Sequence, residues 1–401
     1  MESSIIAPST SLPITTHKWA QLFLRALQSI EVGEIELTTP DGDRIVFKGA
    51  VPGVRTDLII HDWSFCERVF MQSDIGMGES YMKGEWDSAN INGLIHLAVV
   101  NEKALAKMVK GSVLSILYYR IKHLLNRNTK KGSKRNILAH YDLGNAFYQL
   151  WLDPSMTYSS ALFSGNEMSL EQAQHQKYQH ILDQLNAESG AHILEVGCGW
   201  GGFAEYAADK GYRVTGITIS DEQFAFAKER VARFNGRADI QLKDYRDLEG
   251  TYDHVVSIEM FEALGKAYWP LYFKVVKCLL KNGGTAVVQS ITIRNEAFAR
   301  YARGTDFIQQ YIFPGGMLPS PEVFIKNAEH QGLKLTARTD FGADYAKTLS
   351  AWEANFTRAE PTVRELGFDN TFLRMWRFYL KYCQGGFEAR KLGVTQFRLK
   401  S

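Results

Sequence analysis

Residues 192–202 read His-Ile-Leu-Glu-Val-Gly-Cys-Gly-Trp-Gly-Gly, and this run is the strongest local signal in the sequence. Its first five residues are typical of a buried strand, and four glycines follow within the next six residues. Glycine adopts positive φ without steric cost and lets a ligand approach the backbone closely. The run therefore predicts a strand that leads into a cofactor-binding turn and then a helix. Its spacing also fits G-x-G-x-x-G, so spacing alone leaves NAD and FAD open.

Three features beside this turn favour S-adenosylmethionine. Glu195 precedes the glycines, at a position where methyltransferases commonly have an acid. The second predicted strand ends at 216–220, Gly-Ile-Thr-Ile-Ser, without the acid that would bind the ribose of NAD. Asp244 ends the third predicted strand, where methyltransferases often place an Asp against the adenine amine. These features argue against an NAD- or FAD-dependent oxidoreductase, which is the rival enzyme class.

Strand-like and helical segments alternate around the turn, as in an open α/β sheet. Strands are predicted at 192–196, 213–219, 239–243, 254–258 and 285–291, with edge strands at 334–339 and 394–399. Helices are predicted at 203–210, 222–234 and 267–280, the last of them stopped by Gly283-Gly284. Ser169 with Gln172, and Ser220 with Gln223, fit capping boxes. We expect an α/β fold with a Rossmann-like class I methyltransferase domain, built on a mainly parallel seven-stranded sheet.

The first hundred residues differ from this pattern and predict a smaller α+β domain. Short strand-like runs at 34–37, 44–47 and 57–60 alternate with turn residues, and Asp41-Gly42 fits a hairpin turn. A helical stretch follows from about Asn92. The predicted organisation is an N-terminal domain at 1–125, a basic linker at 126–136 and a methyltransferase domain at 137–401.

Composition excludes several classes of protein. A length of 401 residues favours two domains, and a net charge of +2 identifies no partner. Four widely spaced cysteines predict neither a disulfide framework nor a zinc site, and we expect no metal. The N-terminus lacks the features of a secretory signal, and no apolar run approaches the roughly 18 residues of a membrane span. These observations predict a cytoplasmic protein.

The segment from Lys103 to Arg135 is strongly basic. It contains ten Lys and Arg residues and no Asp or Glu, around an apolar middle at 113–119. One interpretation is a solvated helix followed by a flexible tether. Another is a surface that contacts anionic lipid, because clustered basic residues near amphipathic helices bind such membranes. Nucleic acid is a third interpretation, but no nucleic-acid-binding motif accompanies the charge, and we expect no nucleic acid partner.

Several blocks resemble the cyclopropane-fatty-acid synthases and the related mycolic-acid methyltransferases. From about residue 136 to the C-terminus they follow the order of that family. The blocks are the glycine turn together with 140–145, 153–159, 216–220, 244–247, 260–262, 311–316 and 341–345. Two N-terminal blocks, 78–82 and 84–87, also look like the extra domain of the synthases.

The resemblance implies a site, a substrate and a location. The S-adenosylmethionine contacts that it implies are Tyr158, Ser159, Gly197, Gly199, Thr218, Ile219, Gln223, Tyr245 and Arg246. The implied substrate is an unsaturated acyl chain of a membrane phospholipid. The small N-terminal domain of such enzymes is linked with lipid engagement and dimerisation. We therefore expect a homodimer that is peripheral at the inner membrane face.

The same resemblance implies a bound bicarbonate as the base. In the synthases, a Cys, a Glu, a His and a Tyr hold this ion. Here Glu262 and Tyr345 match, but Ser160 stands at the Cys position and Gln289 at the His position. Ser and Gln can donate hydrogen bonds to an anion but cannot titrate near neutral pH. Whether bicarbonate binds is therefore left open.

Three functions remain after these departures. Methyl transfer to an alkene creates a carbocation, which Tyr345 with Tyr311 or Phe313 could stabilise. Proton loss then gives a cyclopropane, the leading expectation, or a methyl- or methylene-branched chain. The third is a non-catalytic paralogue on a lipid surface. Cys383 matches a family cysteine once considered catalytic, and we interpret it as a buried packing thiol.

Overall fold

The computed structural model of the chain describes residues 17–106, 129, 143–165 and 167–401. The strands are β1 (Val32–Thr38), β2 (Arg44–Lys48), β3 (Val51–Ile60), β4 (Trp86–Asp87), β5 (His192–Val196), β6 (Arg213–Thr218), β7 (Ala238–Leu242), β8 (Tyr252–Ile258), β9 (Leu280–Ile293), β10 (Lys334–Asp340) and β11 (Leu392–Lys400).

The α-helices of the described residues are α1 (Lys18–Gln28), α2 (Ser64–Met82), α3 (Ile91–Val100), α4 (Glu102–Ala106), α5 (Asn145–Gln149), α6 (Leu170–Leu185), α7 (Gly202–Asp209), α8 (Asp221–Val231), α9 (Trp269–Leu279), α10 (Asn295–Tyr301), α11 (Phe307–Tyr311), α12 (Pro321–His330), α13 (Gly342–Glu365) and α14 (Asn370–Glu388). Short 3₁₀ helices lie at Ala232–Phe234, Tyr245–Asp247, Phe261–Leu264 and Lys266–Tyr268.

The chain divides into two compact units. Among the described residues, the first comprises 17–106, Gly304–Gln310 and Gly367–Lys391. The second comprises 129, 143–165, 167–303, Tyr311–Leu366 and Leu392–Ser401. The boundaries expected from the sequence stay a prediction, because most of the residues around them lie outside the described part of the chain.

The first unit contains a four-stranded sheet in the order β2-β1-β3-β4. β1 is antiparallel to β2 and parallel to β3. The Gly42 N–H donates to the Thr39 carbonyl at 2.9 Å, which confirms the predicted hairpin turn. Trp86 is fully buried, and its ring centroid lies 4.9 Å from that of Tyr81 and 5.8 Å from that of Phe65. The core of this unit therefore includes a close aromatic cluster.

The second unit contains a seven-stranded sheet in the order β10-β11-β9-β8-β5-β6-β7. β5 to β9 are parallel, and β11 is antiparallel to β9 and β10. The predicted fold class is confirmed. Of the two strands predicted at the edge, β10 lies at the edge and β11 lies between β10 and β9. The chain runs from β5 through β6 and β7 on one side, and then returns to β8 on the other. At such a reversal a crevice opens outside the carboxyl ends of the two central strands, here β5 and β8.

The predicted helix stop at Gly283-Gly284 was wrong. α9 ends at Leu279, and β9 begins at Leu280, which pairs with Tyr252 of β8. The register then shifts before the next pair, His254 with Thr285, and Gly283 has a φ of +77° within this irregularity. The two glycines therefore shape a bulge in a strand, because Leu280 already pairs in the sheet.

Some expectations fall on residues that the structure does not describe. These are the N-terminal residues 1–16, most of the basic segment and of the proposed linker, and the first three residues of the block 140–145. Among the described residues, no helix is both long enough and apolar enough to cross a bilayer.

We predict that Trp86→Ala destabilises the first unit by about 3–5 kcal/mol, the usual cost of truncating a buried aromatic side chain. Urea unfolding followed by circular dichroism measures this change. Leu22→Ala is the matched control, because Leu22 is an apolar side chain of the same unit that is 39% exposed. The control should stay within about 0.5 kcal/mol of the wild type. Equal effects in both variants would contradict the role of Trp86 in the core.

Candidate functional site

The glycine turn presents bare backbone at the carboxyl end of β5. Gly197 and Gly199 have φ of +84° and +52°. The N–H groups of Gly197 and Cys198 donate to the Ile217 carbonyl at 3.0 and 2.8 Å, which fixes the turn against β6. A Cβ added at Gly197 would meet Met260 Cγ at 2.8 Å, whereas a Cβ at Gly199 would project into open space. A ligand can therefore reach the backbone at Gly199, and the turn fits S-adenosylmethionine.

The end of β6 supplies the next expected cofactor residues. Thr218 Oγ1 donates to Gln223 Oε1 at 2.9 Å, and the Gln223 N–H donates to Ser220 Oγ at 3.3 Å. The Gln223 side chain thus turns to Thr218, so only the Ser half of the predicted capping box forms at α8. At Ser169 both halves are present, as predicted. Ile219, which precedes the N-cap residue Ser220, is half-buried.

The third strand leads into a turn that is held by an ion pair. The Arg246 guanidinium donates to the Asp244 carboxylate at 2.7 and 2.5 Å, and the Arg246 N–H donates to it at 3.0 Å. Tyr245 stands between these two residues in the sequence. Its side chain is buried, and burial raises its pKa to about 12. Asp244 therefore has a structural role in this turn, and its proposed contact with the adenine amine stays a prediction.

The segment 158–160 brings three expected site residues together. The Tyr158 ring centroid lies 5.3 Å from that of Trp352 and 6.3 Å from that of Phe313. Ser159 and Ser160 are both buried. The Ser160 N–H donates to the carboxylate of Glu259, the residue that directly follows β8. The segment therefore joins an aromatic cluster to an acidic group.

Glu259 receives the contacts that the family resemblance assigned to bicarbonate. Its Oε1 accepts hydrogen bonds from the Ser160 N–H at 2.9 Å and from Gln289 Nε2 at 2.8 Å. The Tyr345 hydroxyl also bonds to this carboxylate. Burial raises the pKa of Glu259, and the nearby Lys177 ammonium and these hydrogen bonds oppose that rise. Three of the four expected anion-binding residues thus surround a carboxylate of the chain itself.

Glu262, the fourth expected residue, lies beside this carboxylate. It is 9% exposed, and its Oε1 accepts a hydrogen bond from the Ile291 N–H. Burial raises the pKa of Glu262 to about 8, and the negative charge of Glu259 contributes to that rise. Two neighbouring buried carboxylates rarely ionise together. At neutral pH Glu262 is therefore mainly protonated.

A chain of buried amides fixes the orientation of Gln289. Its Oε1 accepts from Gln396 Nε2 at 2.9 Å, so its amide nitrogen must face Glu259. The Gln396 Oε1 in turn lies 2.7 Å from His180 Nδ1 and accepts from Gln184 at 2.5 Å. Gln289 is thereby held as a donor to an anion.

Cys383 belongs to the first unit, in α14, whereas the four other expected catalytic residues belong to the second. Burial raises the pKa of the Cys383 thiol, and the Asp306 carboxylate adds to this effect. A protonated thiol is a weak nucleophile. The environment of Cys383 therefore does not favour nucleophilic chemistry.

Sequence reasoning missed two residues, Glu259 and Lys177. The signal for Glu259 was two acids three residues apart directly after a buried strand, at 258–262. The signal for Lys177 was its spacing of four residues from Ala173 and Ile181 on the buried face of α6. All three of these helix residues are fully buried.

A family model described as mycolic acid cyclopropane synthetase matches residues 128–397. The chain belongs to this family. The resemblance stated from the sequence is thereby confirmed, and with it an S-adenosylmethionine-dependent methyltransferase of lipid biosynthesis.

Relatives of this family match most of the chain. The tuberculostearic acid methyltransferase UfaA1 of Mycobacterium tuberculosis is 35% identical over 88% of this chain and 84% of its own length. The cyclopropane-fatty-acyl-phospholipid synthase of Escherichia coli is 33% identical over 88% of this chain and 89% of its own length. The crystal structure of mycolic acid cyclopropane synthase CmaA1 with SAH and CTAB has a TM-score of 0.63 at 30% identity, and it covers 67% of this chain and 98% of its own.

We predict that Gly199→Ala weakens S-adenosylmethionine binding at least about tenfold, because the new Cβ enters the open space above the turn. Isothermal titration calorimetry measures the dissociation constant. Gly211→Ala is the matched control, since Gly211 also has a positive φ, of +94°, and open space around its Cβ position. Both variants carry the same kind of backbone strain, about 1 kcal/mol. Equal weakening in the two would mean that the effect comes from stability rather than from the cofactor contact.

Proposed function

We propose that the chain transfers the one-carbon unit of S-adenosylmethionine to the double bond of an unsaturated acyl chain in a membrane phospholipid. The observation that carries this proposal is the Glu259 carboxylate, held by Ser160, Gln289 and Tyr345. Glu259 follows β8 and the glycine turn follows β5, so both border the crevice between these two strands. A base beside the methyl donor is what alkene methylation requires.

The chemistry needs a dry site, because an alkene is a poor nucleophile. S-adenosylmethionine supplies an electrophilic methyl group when it is bound. A carbon–carbon bond forms as the carbon–sulfur bond breaks, and a positive charge is left on the acyl chain. The Tyr158 ring, with Phe313 and Trp352 around it, offers the aromatic faces that stabilise such a charge.

We propose Glu259 as the group that accepts the proton from the cation. Its partner Glu262 is mainly protonated at neutral pH, since its pKa is raised to about 8. Environments that push the pKa values of two carboxyls apart assign the base and the acid between them. Glu259 thus takes the place that the family resemblance gave to bicarbonate, and no step requires that ion.

The product depends on whether a hydride shift precedes the loss of the methyl proton. Ring closure with loss of a methyl proton gives a cyclopropane. A hydride shift followed by loss of a methyl proton gives a methylene-branched chain, which only a separate reductant could convert to a methyl branch. We favour the methylene-branched product, because Glu259 departs from the synthase pattern at the base, and because UfaA1 is named as a methyltransferase. The cyclopropane is the second candidate, supported by the E. coli synthase, which matches over nearly its whole length.

We further propose a homodimer that is peripheral at the inner membrane face. The support for the membrane contact is the run of ten basic residues without an acid between Lys103 and Arg135. Such clusters gain about 1 kcal/mol per basic residue near an anionic surface.

We predict that Glu259→Gln lowers kcat about 10²- to 10⁴-fold, the range lost with a general base. S-adenosylmethionine binding should be unchanged, because Glu259 is not among the expected cofactor contacts. The measurement is methyl transfer to vesicles of monounsaturated phospholipid. Glu229→Gln, an exposed Glu of α8, is the control and should retain the wild-type rate.

The wild type should also retain its rate in buffer stripped of carbon dioxide. A loss of activity there, or a wild-type rate in Glu259→Gln, would contradict the assignment of the base to Glu259.

We predict that the acyl product gains one carbon and two hydrogens and is then hydrogenated under mild conditions, as a methylene branch is. Gas chromatography–mass spectrometry before and after hydrogenation makes the distinction. A product of the same mass that resists hydrogenation would be the cyclopropane. No gain on any unsaturated chain would contradict both candidates and favour the non-catalytic paralogue.

A further inference from the structure

Two buried polar side chains of α6 hold the cofactor-binding segment. Gln174 Nε2 donates to the Ser159 carbonyl at 2.9 Å, and Lys177 Nζ donates to Ser159 Oγ at 2.7 Å. Both side chains are fully buried, and their spacing of three residues puts them on one face of the helix. One Ser therefore has its backbone and its side chain fixed by the same helix turn.

Lys177 carries a charge in a place where a charge is costly. An unpaired ammonium in a protein interior loses several kcal/mol of solvation. Among the described residues its hydrogen bond goes to a hydroxyl, and the charges that favour the ammonium come from Glu259, Asp153 and Glu195. The Tyr178 ring, 4.9 Å from Nζ, gives a further cation–π contact. A side chain that only filled space would not need this charge.

Lys177 and the proposed base are joined through adjacent residues. Lys177 bonds to Ser159, and the next residue, Ser160, donates its N–H to Glu259 at 2.9 Å. Burial lowers the pKa of Lys177 to about 7, while the Glu259 charge favours the ammonium. In turn, the ammonium lowers the pKa of Glu259 against the effect of burial. The two groups therefore stabilise each other in the charged state.

We propose that Lys177 is a positioning residue that couples the cofactor-binding segment to the base, by holding Ser159 and by keeping the Glu259 carboxylate ionised. This inference rests on the proposed function, in which Glu259 accepts the proton. A neutral side chain could donate a hydrogen bond to Ser159, but it could not also keep the Glu259 carboxylate ionised.

The expected pH dependence follows from the groups that face the pair. Glu259 is faced by Lys177, Glu262 and Tyr345, and Lys177 is faced by Glu259, Asp153, Glu195 and Tyr178. The base is active when ionised, so kcat rises as pH rises through the pKa of Glu259. Removal of the ammonium raises that pKa. The acidic limb of the profile of kcat against pH, where kcat rises with pH, should therefore move to higher pH.

The test compares Lys177→Met with Gln174→Met. Both variants lose one hydrogen bond to Ser159, but only the first loses a charge. We measure kcat against pH with saturating S-adenosylmethionine and vesicles of monounsaturated phospholipid. Lys177→Met should lose about tenfold or more at neutral pH and recover at higher pH. Gln174→Met should keep the wild-type limb, with any loss confined to cofactor binding.

The proposal would be overturned if Lys177→Met lowered kcat by the same factor at every pH and left the acidic limb of the pH profile in place. A limb that moves equally in both variants would also overturn it, because the shift would then come from Ser159 rather than from the charge.

A double-mutant cycle on the free energy of unfolding tests the coupling between Lys177 and Glu259 even if the proposed function fails. The free energies of unfolding of Lys177→Met, Glu259→Gln and the double variant are measured together. Coupled charges make Lys177→Met less destabilising in the Glu259→Gln background, since the carboxylate no longer loses its partner. If Lys177→Met alone does not fold, a folded double variant supports the coupling. Additive effects, or a double variant that also fails to fold, would overturn it. Absence of any acyl product from the wild type would count against the proposed function alone.

Discussion

The hydrogen bonds to Glu259 join the parts of the chain that form the site. The Ser160 N–H and the Gln289 amide come from the segment after residue 157 and from β9, and both donate to one carboxylate oxygen at the end of β8. Glu259 has a φ of +51°, which costs a non-glycine residue about 1–3 kcal/mol. These bonds hold it there. Because β5 and β8 are neighbours in the sheet, the carboxylate and the glycine turn border one crevice.

The electrostatics of this crevice are set by an excess of buried acids. Glu195, Glu259 and Glu262 all have their pKa values raised by burial. A low-dielectric interior holds buried carboxylates in their charged form only where compensating charge lies near them. Lys177 is the buried cation whose charge acts on Glu195 and Glu259. Glu262, whose pKa is raised further by Glu259, is the acid that keeps its proton.

The sequence predicted the frame of the site but not its charge arrangement. The glycine turn and the central strands follow from local patterns, because apolar runs and glycine spacing report backbone needs directly. Glu259 was missed although two acids follow the strand, because such acids are common on protein surfaces and the positive φ of Glu259 leaves no trace in the sequence. The family resemblance placed bicarbonate beside Ser160 and Gln289. In the folded chain, these two residues donate to the Glu259 carboxylate instead. Gly283 was misread because strand pairing, a tertiary interaction, ended the helix earlier.

A base that belongs to the chain changes what its neighbours must do. A free anion could carry its proton away, whereas Glu259 must be deprotonated in place after every turnover. Burial opposes that step, since it favours the neutral acid. The Lys177 ammonium favours the loss of the proton, and the Gln289 amide stabilises the carboxylate that results. A titratable His in place of Gln289 would compete for the same proton. The replacement of His by Gln at 289 is therefore consistent with a fixed base, which needs neutral donors around it rather than a second proton acceptor.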